Sequence, residues 1–214
     1  MWRYPPYFYP LLRDISHDST SHHSVRQALK NRRANIQATQ RQQKSILAAK
    51  HFKNWLIHRN DQHIACYFSV GDEFPTQPIC EQINKAGKTL YLPILDTKKP
   101  GHLIFQAYQD HQEMRDNPFG IAEPLPNTSL QIPNTKLDLV ITPLVGFDTQ
   151  GHRIGMGGGY YDRSFSFLLD SNDNGPRPFL LGLAYEVQRV EMIPAQPWDI
   201  PLNGILTEQG IQLF

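Results

Sequence analysis

The densest run of chemistry-bearing residues is Arg153-Ile154-Gly155-Met156-Gly157-Gly158-Gly159-Tyr160-Tyr161-Asp162-Arg163. Closely spaced glycines let a main chain approach phosphate oxygens and turn its amides on them, above all where such a loop opens a helix. The spacing departs from the dinucleotide fingerprint, whose third glycine position is here Tyr160, and from the Walker pattern, because no Gly-Lys-Ser/Thr follows. The run has no lysine, so positive charge for a phosphate falls to Arg153, Arg163 or a cationic segment elsewhere. Asp162 stands near the expected helix start, where a carboxylate either holds a divalent cation beside a triphosphate or caps the helix; spacing alone weighs the two equally. Tyr160 and Tyr161 suit stacking on a flat ring or burial in a core, and burial is the commoner fate.

Two shorter segments join this loop. Trp198-Asp199-Ile200-Pro201-Leu202 sets an acid among apolar and proline residues, as a second metal ligand or a cap. Ser69-Val70-Gly71-Asp72-Glu73 follows a strand-like run, and open α/β sheets bind ligands beyond the carboxyl ends of their strands. Glu73 there accepts hydrogen bonds from a ligand's donor edge or is merely exposed.

These segments need a frame. The stretch from Ser24 to about His58 lacks Gly and Pro and repeats apolar residues at helical intervals (Val25, Leu29; Ile46, Ala49, Phe52, Leu56), which predicts one or two amphipathic helices. Arg26, Lys30 and Arg33 then share one face. Beyond it, His63 to Ser69 reads as a strand, Thr76 to Lys85 as a helix and Lys88 to Leu95 as a strand, the rhythm of a βαβ unit. Leu103 to Tyr108, Leu137 to Thr142 and Phe179 to Ala184 read as further strands, with a helix over Tyr160 to Leu169 after the glycine loop. Short extended segments near Gly204 to Leu206 and Ile211 to Phe214 finish the chain. The expectation is a single α/β domain over residues 24–214, a Rossmann-like three-layer fold with a largely parallel central sheet flanked by helices and an N-terminal helical segment. Residues 1–23, rich in proline and aromatic residues and then in Ser, His, Asp and Thr, read as a flexible extension.

Bulk properties bound the partners. With 214 residues, one core is the default, and 21 basic against 20 acidic residues leave no global field to draw the chain onto nucleic acid or an anionic membrane. No apolar stretch approaches the roughly 20 residues of a membrane span and no signal-peptide pattern is present, so the expected location is the cytosol. Cys66 and Cys80 lack metal or disulfide spacing and read as small buried hydrophobes.

Three stretches together, 155 to 163, Leu137-Asp-Leu-Val-Ile-Thr-Pro-Leu-Val-Gly-Phe-Asp148 and Trp198 to Leu202, closely resemble the 5-formyltetrahydrofolate cyclo-ligase (5,10-methenyltetrahydrofolate synthetase) family. The resemblance runs from about Arg26 to Glu208, with Tyr67 to Glu73 and Phe119-Gly-Ile-Ala-Glu-Pro124 matching in order between the ends. It implies an enzyme with ATP as co-substrate and Mg²⁺ as cofactor, which phosphorylates the N5-formyl oxygen of 5-formyltetrahydrofolate, closes the ring through N10, and releases ADP and phosphate. It further implies a monomer with small-molecule partners only. Carried over by position, Arg26, Arg153, Ile154, Gly155, Met156, Gly157, Gly158, Gly159, Tyr160 and Tyr161 match nucleotide contacts, and Asp162 and Asp199 match magnesium ligands. Phe68, Glu73, Phe119, Met156 and Tyr160 match folate-pocket positions, Glu73 facing the pterin N–H donors; no general acid or base is assigned. Two positions depart from the family pattern: His22 stands where many members carry lysine, and Met156 where others carry arginine or tyrosine. The rival reading is a non-catalytic sensor of nucleotide or folate on the same fold, against which the retention of both Asp162 and Asp199 argues.

Overall fold

The computed structural model describes residues 19–110, 112–170, 172 and 175–214, with side chains from residue 23 onward. Most of the expected extension and the side chain of His22 therefore lie outside the described residues. Two helices come first, α1 (Ser19–Ala34) and α2 (Ala38–Leu56), so α1 begins ahead of the expected Ser24. Then follow β1 (His63–Ala65), α3 (Gln77–Lys85), β2 (Thr89–Leu95), β3 (Leu103–Ala107), β4 (Met114–Asp116), β5 (Ala122–Pro124), β6 (Gln131–Ile132), β7 (Leu139–Pro143), β8 (Gly146–Phe147), β9 (Arg153–Ile154), α4 (Tyr160–Ser164), β10 (Phe179–Leu183), β11 (Gly204–Thr207) and β12 (Gly210–Leu213).

Eight strands form one sheet in the order β12-β11-β10-β7-β1-β2-β3-β6. Its centre is parallel: β1 pairs with both β2 and β7, and β10 with both β7 and β11. The antiparallel strands β12, β3 and β6 finish the two sides. From β1 the chain moves outward to β2, then returns to build β7, β10 and β11 on the opposite flank. Strand order thus reverses between β1 and β7, and the crevice beyond their carboxyl ends is where such sheets take ligands.

Period-two alternation assigns the two faces. Ile64, Leu139, Ile141, Leu181, Leu183 and Leu206 pack with Phe52 and Leu56 of α2 and Ile79 and Ile83 of α3. Their neighbours Ala65, Val140, Leu180 and Ile205 point the other way, onto Phe105, Phe147, Phe165 and Ile200. Burial on both faces is why these strands read as near-continuous apolar runs. Cys66 and Cys80 are buried and free, and burial pushes the Cys66 thiol well above its ordinary pKa, which keeps it neutral.

Three local expectations change. The stripe that α2 buries is Ser45, Ala48, Ala49, Phe52 and Leu56, while Ile46 is 55 % exposed. Ser45 can take the inner place because its hydroxyl donates to the Gln42 carbonyl at 2.8 Å. The helix expected over Tyr160 to Leu169 is α4 followed by a 3-10 turn, Ser166–Leu169, broken where Phe165 leaves helical geometry (φ −114°, ψ 17°) with its ring wholly buried. Core packing of that ring outweighs local helix continuity. Regular β1 ends at Ala65 rather than Ser69, although the Cys66 amide still donates to the Tyr91 carbonyl at 2.9 Å.

Candidate active site

The hairpin of β8 and β9 delivers the glycine loop. Asp148, wholly buried in its turn, accepts hydrogen bonds from the amides of Gln150 (2.8 Å), His152 (3.0 Å) and Ile193 (3.0 Å), and its Oδ2 lies 2.9 Å from His152 Nδ1. A carboxylate satisfied this fully fixes where β9, and so Arg153, begins. Helix α1 docks on the hairpin through Leu29, which packs with Val145, Ile154, Val190 and Ile193. One turn before Leu29, Arg26 reaches the loop and donates from Nε to the Gly155 carbonyl at 2.9 Å.

Within the loop the amides of Met156, Gly157, Gly158 and Gly159 donate to no acceptor among the described residues. Backbone donors left free around a cavity are what a phosphate cradle requires. Gly159 takes a left-handed conformation (φ 63°) to turn the chain into α4. Arg163 holds the loop from outside, donating from Nε to the Gly101 carbonyl at 2.9 Å and from its terminal nitrogen to the Gly158 carbonyl. Arg26 also stands beside the loop, with its guanidinium close to Gly157.

Two cavities meet at this loop. The larger, about 1030 Å³, is lined by Arg26, Arg153, Ile154, Gly155, Gly157 and Gly159, with Asp162 and Asp199 beside them and the exposed Trp198 ring at 64 % accessibility. The second, about 540 Å³ and more apolar, lies against β2 and beyond the carboxyl ends of β1 and β7, where Tyr67, Phe68, Glu73, Phe119, Met156, Tyr160 and Tyr161 line it. Arg153, Gly155, Gly159 and Asp162 line both. Of the ten residues matched to nucleotide contacts, six therefore face the larger space; Met156, Gly158, Tyr160 and Tyr161 face the second.

Asp162 does not cap its own helix, where Gly159 holds the N-cap position. Its Oδ1 accepts from Arg153 at 2.5 Å and from the Ile200 amide at 3.3 Å, and Oδ2 has no partner among the described residues. Arg153 also donates to the Ile200 carbonyl, so the segment carrying Asp199 is fastened to the loop carrying Asp162. Asp199 accepts the Gln196 amide on Oδ2 at 2.9 Å, with Oδ1 likewise unpartnered. Among the described residues no three His, Cys, Asp or Glu side chains gather into a cage. A hard cation held by two carboxylates, with phosphate oxygens and water completing its shell, fits this donor set, and Mg²⁺ is commonly held so.

The second cavity suits a flat, partly polar ring. Phe119 is 61 % exposed and Met156 50 %, large apolar surface left open on its walls. Phe119 meets the Tyr160 ring edge-on at 5.9 Å and 83°. Glu73 is half-buried, and burial lifts its carboxyl above the usual range while the Val70 amide, at 3.0 Å, and Arg33 oppose the rise. Burial likewise raises the hydroxyls of Tyr67 and Tyr161, so both stay protonated.

Comparison with known proteins identifies the lineage. The model of the 5-formyltetrahydrofolate cyclo-ligase family matches residues 18–208. The chain belongs to the 5-formyltetrahydrofolate cyclo-ligase family. By that membership it is a ligase. It is 38 % identical over 183 residues to a 5-formyltetrahydrofolate cyclo-ligase of Haemophilus influenzae, covering 85 % of this chain and 95 % of the relative. To that of Escherichia coli it is 39 % identical over 148 residues, covering 69 % and 79 %. The fold matches an Aquifex aeolicus 5,10-methenyltetrahydrofolate synthetase with a TM-score of 0.74 at 24 % identity, over 90 % of this chain and 92 % of that one. No helix among the described residues is long and apolar enough to cross a membrane.

Further residues, to which motif and spacing assign no role, line the two cavities. Arg33, Tyr67, Asn117 and Glu123 line the second cavity and Trp198 and Gln196 the first. Tyr67, Glu123 and Trp198 fall inside motifs already singled out, and Arg33 shares the α1 face of Arg26, so a signal existed for all four. Glu123 is buried and fully engaged, by Arg115 at 2.9 Å and by the Leu95 amide at 3.1 Å, which makes it a brace for the wall rather than a free acceptor.

Proposed function

We propose that the chain catalyses the ATP-dependent cyclisation of 5-formyltetrahydrofolate to 5,10-methenyltetrahydrofolate, releasing ADP and phosphate. The observation that carries this reading is the wall shared by the two cavities, because phosphoryl transfer between two bound substrates needs their reacting atoms side by side. The triphosphate lies in the larger cavity against the free amides of Gly157 and Gly159 and against Arg26, and the pterin lies in the second against Phe119, Met156 and Glu73.

An N5-formyl group is amide-like, with a carbon that is a poor electrophile and an oxygen that leaves badly. Attack of the formyl oxygen on the γ-phosphorus, with ADP leaving, makes that oxygen part of a phosphate and the carbon iminium-like. N10 then bonds to the carbon and loses its proton, and the C–O electrons depart with phosphate, leaving the methenyl bridge. Arg153, on the shared wall, stabilises charge as it moves between the substrates. The unpartnered oxygens of Asp162 and Asp199 would hold Mg²⁺, which when bound neutralises charge on the triphosphate. Glu73 orients the pterin by accepting its N–H donors. Both cavities are built from one chain, which suits action as a monomer.

The test is stoichiometry. ADP release is expected to match methenyl formation one for one and to fall to background without folate. Tight folate binding with no ADP release would replace the reading with that of a sensor.

A further inference from the structure

We infer that Arg33 is a positioning residue for Glu73, holding the Val70 to Glu73 turn in place through Asp72; the inference rests on the folate reading of the second cavity. Arg33 lies in the last turns of α1 with its side chain only 4 % exposed, and it donates to Asp72 Oδ1 at 2.8 Å. Its Nε is buried and has no partner among the described residues. A guanidinium has five donors, and burying one with a single bond made is costly. A purely structural position at the end of an amphipathic helix is better filled by an apolar residue. Arg33 also lines the cavity itself, beside Glu73.

The turn it holds is otherwise lightly tied. The Glu73 amide donates to the Val70 carbonyl at 3.1 Å and the Val70 amide to Glu73 Oε2 at 3.0 Å, both bonds internal to the turn. From outside, Arg41 reaches the Gly71 carbonyl at 3.4 Å and the Tyr185 hydroxyl the Glu73 carbonyl at 3.5 Å, both long. The pair with Asp72 is the short external tether. Seven residues earlier on the same helix, Arg26 holds the glycine loop. One rigid element therefore fixes a wall of each cavity.

The groups facing Glu73 are Arg33 from α1, Asp72 from its own turn, Tyr67 after β1, Tyr161 from α4 and Tyr185 after β10. The three tyrosines are neutral across the working pH range, since burial lifts each hydroxyl. Arg33 and Asp72 are thus the two charges that tune Glu73, with opposite signs. Burial favours the protonated carboxyl, Arg33 opposes burial, and Asp72 reinforces it. Only the ionised form accepts two donors from a pterin edge.

The experiment compares wild type, Arg33→Gln, Arg33→Lys and Asp72→Asn by the pH profile of kcat/KM for 5-formyltetrahydrofolate, with KM for ATP and Tm alongside. Arg33→Gln is expected to move the acid limb up by about one pH unit and to raise folate KM about tenfold, leaving ATP KM within about twofold. Arg33→Lys, which keeps the charge, is expected to restore the limb. Asp72→Asn, at a partly exposed site, is expected to move the limb down. Should Arg33→Gln fail to fold, the downward shift in Asp72→Asn still decides. Limbs that stay together in all variants, or Arg33→Gln and Asp72→Asn shifting the same way, would overturn the role of Arg33. A wild-type protein that does not turn over or bind this folate would instead overturn the reading of the cavity.

Discussion

Arg153 and Asp162 meet at 2.5 Å on the wall shared by the two cavities, with the arginine side chain 5 % exposed and the aspartate 27 %. The pair engages Oδ1 of Asp162 and leaves Oδ2 without a partner among the described residues, in a cavity that Asp199 also lines. On the proposed reading, a carboxylate that fastens an arginine and presents a free oxygen serves catalysis more than folate affinity. Asp162→Asn keeps an acceptor for Arg153 and the Ile200 amide but removes the charge. We expect kcat to fall on the order of 10²-fold or more while folate Kd changes less than about threefold. Equal losses, measured by turnover and by direct titration, would mean that Asp162 only shapes the wall.

Arg26 lines the larger cavity and not the second. Its bond to the Gly155 carbonyl and its place over Gly157 predict that Arg26→Ala raises KM for ATP about tenfold, with folate KM nearly unchanged. Comparable rises for both substrates would show that α1 sets the whole crevice rather than one cavity.

Two glycines of the loop differ in what a methyl group would meet. At Gly155 nothing lies within 4 Å of an added Cβ and φ is unexceptional, so the methyl projects into open space at the wall of the two cavities. At Gly157 φ is +106°, which strains any L side chain by about 1–3 kcal/mol. Gly155→Ala should therefore leave Tm unchanged and raise KM for ATP roughly tenfold, whereas Gly157→Ala should lower Tm by several degrees. Thermal unfolding beside steady-state kinetics separates the two; the reverse pattern would contradict the assigned loop geometry.

Glu73 carries a trade between stability and binding. Its folded-state pKa is raised above the unfolded value, chiefly by burial, so the folded protein holds that proton more tightly. Its contribution is thus most favourable below the unfolded pKa and declines as pH rises through the folded one. At pH 7 Glu73→Gln should raise Tm, and the gain should vanish near pH 4. The same variant should weaken folate binding about 10- to 100-fold. A Tm that falls at pH 7 would show that the ionised carboxylate is structurally paired.

Much of this was legible in the residue order. The apolar runs around Leu139 to Ile141 and Phe179 to Leu183 announce strands buried on both faces, and the structure pairs them in parallel. The glycine loop is where its spacing put it, between a strand and a helix start. What was not legible depends on packing across the chain. Ile46 looks like core until the helix phase is set by Ala48, Ala49 and Phe52. Phe165 breaks α4 because its ring is drawn into a cluster with Phe105 and Phe147 from distant strands. Arg33 resembles one more cation on a basic face, and only the fold shows that this face turns inward at its end. Nor does spacing separate a cap from a ligand at Asp162; the Ile200 amide and Arg153, far along the chain in one case, settle that it is no cap.

The most direct test is turnover by the purified protein of 5-formyltetrahydrofolate with Mg-ATP, followed by the absorbance of the methenyl product. The chromophore should appear with ATP present and be abolished when ATP is omitted. No chromophore at micromolar enzyme, or equal formation without ATP, would contradict the proposed reaction.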